Sequence, residues 1–317
     1  MNDAYSHQRI CRAYGREFMT KNTTSTQRSL LFSTVGEPWK ADGIVADSAP
    51  KPIFGTELGV LFDGNCLDVL PKIQSETIDT VFADPPFNLG KKYGSKVDDN
   101  LPERDYLDWC RQWICECVRI LKPGGSMFVY NLPKWNIPIG GFLSESGMTF
   151  RHWIAVNLKM LLPIQGRLYP SHYSLLYYCK GPKPKTFRNI RTPIQLCRHC
   201  GKEIKDYGGH RNAMNPKGVN LTDVWDDIPP VRHRKFKSAK RKENQLSTKL
   251  VSRAIEMSTV EGDVVLDPFG GSGTTFDVCE SRSRHWIGIE LQNSDIIVDR
   301  LTTDCLAHHH FNDHVES

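Results

Sequence analysis

The sequence predicts an α/β protein built on an open, mostly parallel sheet. Three stretches carry that expectation. Residues 103–121, ERDYLDWCRQWICECVRIL, space their apolar side chains as a helix does; KPGG ends the helix and SMFVYN opens a strand. TIDTVFADPP reads as a strand halted by proline. GDVVLDPFGGSGTTFDVCE reads as strand, glycine loop and helix, and RHWIGIEL as the next strand. Helices alternating with apolar strands are the rhythm of a mostly parallel sheet covered on its faces.

The other elements follow in order. Residues 1–55 are polar and weakly periodic, an arm or a partner surface. From Leu58, LGVLFDGN reads as a strand ending in a turn, and CLDVLPKIQSE as a short helix. IGGFLSESGMTFRHWIAVNLK gives a helix and then a strand, and HYSLLYYCKG another strand. After Gly181 periodicity is lost for about sixty residues, as in loops or a small inserted lobe. LSTKLVSRAIEMST resumes as a helix with Leu250, Ile255 and Met257 among its apolar positions. The tail, with AHHHFNDH, reads as a solvated end.

The 317 residues suffice for one large core, or a core plus a smaller lobe. A net charge of +5 permits nucleic-acid binding without requiring it. No apolar run approaches the ~18 residues of a membrane span, and the first residues lack a signal-peptide core. Ten scattered cysteines fit reduced thiols in a cytoplasmic protein.

The loop VVLDPFGGSGTT is a ligand-site candidate. Glycine lets a ligand lie against the main chain near helical N–H groups. No lysine precedes the Ser/Thr, so it is not a P-loop, and Phe276 stands where a dinucleotide fingerprint needs its third glycine. Glu290, ending WIGIE, could accept both hydroxyls of a ribose, and Asp267 suits a cationic amino-acid moiety.

DPPF at 84–87, DPFGGSGTT at 267–275 and WIGIEL at 286–291 together resemble the S-adenosylmethionine-dependent amino-group DNA methyltransferases, in the beta motif order with DPPF before the glycine loop. The resemblance covers roughly residues 56–301. It implies an open seven-stranded, mostly parallel sheet of the class I methyltransferase fold with an inserted target-recognition lobe. The implied divisions are an arm (1–55), a catalytic half (56–182), a target-recognition region (183–243), a cofactor-binding half (244–302) and a polar tail (303–317). It also implies S-adenosylmethionine contacts from Asn65, Cys66, Asp84, Thr248, Lys249, Asp267, Phe269, Gly271, Gly273, Thr274 and Glu290. Asn65 stands where relatives often carry an acid, and the prolines and histidine that often precede the second half are missing around Thr248 and Lys249.

An exocyclic base amine is a poor nucleophile because its lone pair is delocalised into the ring. Two acceptors at its N–H groups would restore that lone pair: the Asp84 carboxylate and the Pro85 carbonyl. Pro85 and Pro86 have restricted φ and no N–H, so the turn is stiff. Phe87 can stack on a base that has left the duplex. Catalysis would come from placement and preorganised acceptors.

Between the two motifs, RHRKFKSAKRK (232–242) holds seven Lys/Arg and no acid. Arg232, Arg234, Lys235 and Lys237 are phosphate-contact candidates. Arg188, Arg191, Asn212 and Asn215 are candidates for reading base edges. Cys197 and Cys200 have knuckle spacing, with His210 a third candidate ligand for a structural zinc and His172, His233 or Asp206 a fourth.

DPPF tilts the expected acceptor toward adenine N6 in double-stranded DNA, with cytosine N4 the alternative. An NAD-linked oxidoreductase would leave DPPF idle, and a non-catalytic DNA-binding module would keep DNA affinity without methyl transfer. A homodimer and a cognate restriction endonuclease are further expectations from the family.

Overall fold

The computed structural model describes residues 33–312 apart from 91, 94–96, 99, 158–164, 167, 169, 195, 198, 203–208, 210–212, 230–244 and 293. In chain order the elements begin with β1 (Ser33–Val35), β2 (Phe54–Thr56), β3 (Gly59–Asp63), α1 (Cys66–Val69) and β4 (Ile78–Ala83). A small ribbon, β5 (Lys92–Tyr93) and β6 (Val97–Asp98), precedes α2 (Glu103–Ile120), β7 (Leu121–Asn131), α3 (Pro133–Glu145), β8 (Met148–Asn157) and β9 (His172–Lys180). The non-periodic stretch contributes β10 (Arg191–Thr192), β11 (Val219–Asn220) and β12 (Val224–Trp225). The chain closes with α4 (Thr248–Ser258), β13 (Val264–Asp267), α5 (Thr274–Ser281), β14 (His285–Glu290) and α6 (Ser294–Asn312).

The expected seven-stranded, mostly parallel sheet of the class I methyltransferase fold is corrected. One mixed sheet of ten strands forms, in the order β1-β2-β3-β14-β13-β4-β7-β9-β8-β12. Its β2–β3, β7–β9 and β8–β9 pairs are antiparallel. The strands that sequence missed lie at the edges. β1 and β2 come from the polar stretch before residue 56, and β12 from the stretch after Gly181. Each is too short to show a period. They are strands because a neighbour offers an unpaired edge: Val224 and Trp225 sit beside Ala155 and Val156 of β8.

Alternation along the strands divides the core in two. Val60, Phe62, Val81, Ala83, Met127, Val129, Leu266 and Ile287 pack on one face with α1, α2 and α3. Leu61, Phe82, Phe128, Val265 and Trp286 pack on the other with α4, α5 and α6. Successive side chains of a strand point to opposite faces, so strands apolar at both parities must be covered twice.

Four neighbouring strands, β3, β14, β13 and β4, run parallel. Their carboxyl ends carry Asp63, Glu290, Asp267 and, just beyond β4, Asp84. Ligands of open α/β sheets bind outside such ends.

Candidate active site

β4 is buried along its length and delivers Asp84 into the proline turn. The turn is tied down from two helices. The Tyr106 hydroxyl of α2 donates to the Pro86 carbonyl at 2.7 Å, and Trp135 Nε1 of α3 donates to the Phe87 carbonyl at 2.7 Å. Asn131 Nδ2 in turn donates to the Tyr106 hydroxyl at 2.9 Å. Among the described residues no donor reaches the Pro85 carbonyl or the Asp84 carboxylate. Burial, and then the charge of Asp267, hold Asp84 well above the ordinary carboxylate range. Phe87 lies 5.4 Å from Tyr173 and 6.0 Å from Tyr130, ring centre to ring centre, both tilted. Burial and then the Asp84 charge push the Tyr130 hydroxyl up. The arrangement is a carboxylate and a carbonyl with open acceptor capacity beside three aromatic rings.

The glycine loop leaves the adjacent strand. Asp267 is buried, and its oxygens accept the Phe269 N–H at 2.9 Å and the Thr275 hydroxyl at 2.5 Å. Burial pushes its carboxyl up to about 6 against the pull of those two bonds. Gly273 caps α5 with φ 77°, a left-handed conformation that favours glycine. Glu290 accepts the Gly271 N–H at 2.6 Å and the Gln292 N–H at 2.9 Å, so it braces the loop. Behind the loop, the buried Arg300 of α6 donates to the Ser272 carbonyl, the Thr274 hydroxyl and Asp277, the last at 2.6 Å. Phe269 is half-buried against Trp109 and Trp113. A Cβ at Gly271 would meet only the Phe269 carbonyl, at 3.8 Å, so space lies open beside that main chain.

The model of the DNA methylase family matches residues 78–297. The chain belongs to the amino-group DNA methyltransferases. Type II methyltransferase M.BamHI of Bacillus amyloliquefaciens is 59% identical over 251 residues, 79% of this chain and 59% of that relative. The chain thus spans about three fifths of that relative's length. DNA adenine methyltransferase YhdJ of Escherichia coli K12 is 30% identical over 259 residues, 81% of this chain and 86% of the relative. The solved PvuII DNA methyltransferase (cytosine-N4-specific) has the same fold, with TM-score 0.54 and 23% identity over 76% of this chain and 85% of that one.

The methyltransferase brings together Asp84, Pro85, Pro86, Phe87, Asp267, Phe269, Gly271, Gly273, Thr274 and Glu290 at one end of its sheet. Of the other expected contacts, Asn65 and Cys66 follow β3 at the same end of the sheet, and Thr248 and Lys249 open α4. The Asn65 side chain caps α1 by accepting the Leu67 N–H at 3.0 Å. Cys66 is buried, and burial pushes its thiol up to about 12. Thr248 is exposed, and Lys249 donates to Asp227 at 2.6 Å. Asp227 also receives two bonds from Arg253, at 2.7 and 2.6 Å.

The Arg188 backbone N–H bonds to the Met257 carbonyl at the end of α4, and its charge acts on Arg284, which precedes β14. Both lie before the amino ends of β13 and β14, so Arg188 stands at the opposite end of the sheet from the DPPF turn. Arg191, on the β10–β11 ribbon, donates to the Gly218 carbonyl at 2.8 Å. Asn215 is exposed in a turn whose Lys217 N–H it accepts at 2.9 Å. Asn212, Arg232, Arg234, Lys235 and Lys237 lie outside the described residues.

Cys197 and Cys200 form a closed turn in which the Gly201 N–H meets the Cys197 carbonyl at 2.8 Å. Backbone donors from Cys200 and then His199 hold the Cys197 thiol below its usual range. Among the described residues no third metal ligand joins the pair, so the expected zinc set is not assembled by them. His210 lies outside the described residues. No described helix is long and apolar enough to cross a membrane.

Sequence reasoning missed Tyr106, Tyr130, Asn131, Trp135, Tyr173 and Arg300. The polar or aromatic ends of SMFVYN and HYSLLYY were the available signal. Strand pairing sets Tyr130 opposite Leu175 and Asn131 opposite Ser174, so both strand ends reach the site. Tyr106 and Trp135 carry no such mark, because each meets the turn only through tertiary packing.

Proposed function

We propose that this methyltransferase moves a methyl group from S-adenosylmethionine to the exocyclic N6 amine of an adenine flipped out of double-stranded DNA. The observation that carries this reading is the Asp84 carboxylate and Pro85 carbonyl, both with open acceptor capacity, one strand away from the glycine loop. The relative named a DNA adenine methyltransferase supports adenine as acceptor. The same two acceptors would serve cytosine N4.

The residues divide the work simply. Phe87, with Tyr130 and Tyr173 beside it, offers a stacking platform for a base outside the duplex. Asp84 and the Pro85 carbonyl accept from the two amine N–H bonds and localise the nitrogen lone pair. S-adenosylmethionine supplies, when bound, a methyl group on positively charged sulfur. The surplus amine proton would leave to Asp84 or water. Asp267 is suited to the cationic amino-acid part of the cofactor, because a carboxyl raised by burial ionises when a cation arrives. Glu290, which ends β14 and accepts the Gly271 and Gln292 N–H groups, is the proposed acceptor for ribose hydroxyls.

The basic segment 232–242 is the proposed phosphate-contacting stretch, through Arg232, Arg234, Lys235 and Lys237. Its flanks support this: Ile228 and Leu246 pack in one core cluster, and the Leu246 carbonyl accepts the Thr274 hydroxyl beside the glycine loop. Arg191, Asn212 and Asn215 are the proposed base readers. A structural zinc on Cys197 and Cys200 would need ligands from outside the described residues, and metal analysis of the purified chain tests it. Homodimerisation and a cognate restriction endonuclease stand as family expectations; sedimentation with and without DNA tests the first.

The deciding experiment incubates the chain with diverse unmethylated DNA and labelled S-adenosylmethionine, then digests the DNA to nucleosides. N6-methyladenine is expected. N4-methylcytosine would move the acceptor, and no methylated nucleoside would overturn the function.

A further inference from the structure

We propose that Tyr106 and Trp135 are positioning residues that aim the Pro85 carbonyl and the Phe87 ring by holding the two carbonyls that follow. The proposal rests on the methyltransferase reading of the same site. Proline fixes φ at residues 85 and 86, and Pro86 biases ψ of Pro85 to the extended region, but ψ of Pro86 and Phe87 stays free and decides how the following peptide planes lie. Something else must set it.

The packing supplies that constraint. Residues 86, 87 and 88 are each bonded through a side chain. Tyr106 holds the Pro86 carbonyl and Trp135 the Phe87 carbonyl, both at 2.7 Å. The Asn88 side chain bonds both the N–H and the carbonyl of Leu101, at 2.7 and 2.8 Å. Tyr106, Trp135 and Asn131 are buried, at 2%, 4% and 0% exposure, so water cannot readily replace these partners. The donors are themselves fixed. Tyr106 packs on Trp135 with ring centres 4.6 Å apart and receives the Asn131 amide. The Ser174 hydroxyl holds the Asn131 carbonyl at 3.1 Å, and Asn136 Nδ2 reaches Ser174 Oγ at 2.6 Å. Two helices and two strands therefore converge on one peptide turn. Among the described residues the Pro85 carbonyl alone of the three is left open.

Removing the Tyr106 hydroxyl frees the Pro86 peptide plane and strands the Asn131 amide. A displacement of about 1 Å at a reacting group can cost roughly 100-fold in rate. The test uses the full chain and single-turnover methyl transfer, with cofactor and DNA affinities measured separately. Tyr106→Phe should slow transfer ~10- to 100-fold while both affinities stay within about 2-fold. Trp135→Phe, which removes the other donor, should act the same way and serves if Tyr106→Phe does not fold. Ile120→Val loosens the same helix without touching the turn and should transfer at the wild-type rate. Folded variants that transfer at the wild-type rate overturn the proposal, as would variants whose whole defect is lost cofactor affinity. A wild-type chain inert on every DNA would instead overturn the methyltransferase reading.

Discussion

Two turns leave neighbouring parallel strands of this sheet, each beginning with Asp-Pro-Phe or Asp-Pro-Pro-Phe, and they reach rigidity by opposite means. The turn after β4 has prolines and few backbone donors. Side chains from α2 and α3 hold its carbonyls. The loop after β13 has glycines, and its N–H groups at residues 269, 270, 271 and 273 are paired within the protein. Glu290 holds it in front, and Arg300 holds it behind through the Ser272 carbonyl and the Thr274 hydroxyl. On the proposed function the difference follows the ligand. An amine needs acceptors, so its turn presents oxygens and withholds donors. A cofactor with hydroxyl, carboxylate and ammonium groups needs main-chain approach, so its loop gives up side chains.

The comparison breaks most sharply at the first acid. Asp84→Asn should reduce single-turnover transfer by ~1,000-fold or more, leaving cofactor affinity within a few-fold. Near-normal transfer would mean that the turn is not catalytic.

The second acid should fail in the other way. Asp267→Asn should weaken cofactor binding by roughly 30-fold, measured by calorimetry. Its stability should move oppositely. Asp267 has a raised folded value, so the folded chain holds a proton that the unfolded chain has lost, and ionising it costs stability as pH rises through about 6. The asparagine variant escapes a cost of order 3 kcal/mol at pH 7.5. It should melt higher there, with the gain fading towards pH 4. In the wild-type chain, cofactor affinity should fall as pH drops through the same window.

Arg300→Met tests the brace behind the loop. It leaves the Asp277 carboxylate and the Ser272 carbonyl without that partner, which should cost about 3 kcal/mol in chemical denaturation and about 10-fold in cofactor affinity. The smallest effect is expected at Lys249. Its bond to Asp227 is half-exposed, and Arg253 still holds that carboxylate. Lys249→Met should cost at most about 1 kcal/mol and leave cofactor affinity within about 2-fold. A larger loss of affinity would restore the cofactor contact that the family resemblance implies.

Much of the site was legible because its two turns announce themselves locally. Asp84 and Asp267 each follow a strand whose apolar run is continuous, and the residues after them restrict or enlarge backbone freedom within a few positions. Strands β3, β4, β7, β9, β13 and β14 were readable for the same reason. The edge strands β1, β2 and β12 were not, since two or three residues carry no period and a strand edge recruits them only after the sheet exists. The place of Arg188 was not legible, because charge in a non-periodic stretch says nothing about which end of the sheet it will reach. The Lys249 bond was not legible either, because its partner, Asp227, lies in that same stretch.

Residue type and local order alone determined the chemistry on offer: a stiff carbonyl-bearing turn, a glycine loop and an acid to end each of three strands. Tertiary structure alone decided that these face one another, and which side chains hold them there. The reason is range. A proline or glycine acts on its own dihedrals, whereas Tyr106, Trp135 and Arg300 act 20, 48 and 26–28 residues from the groups they hold. Bonds over such separations exist only once the core has packed.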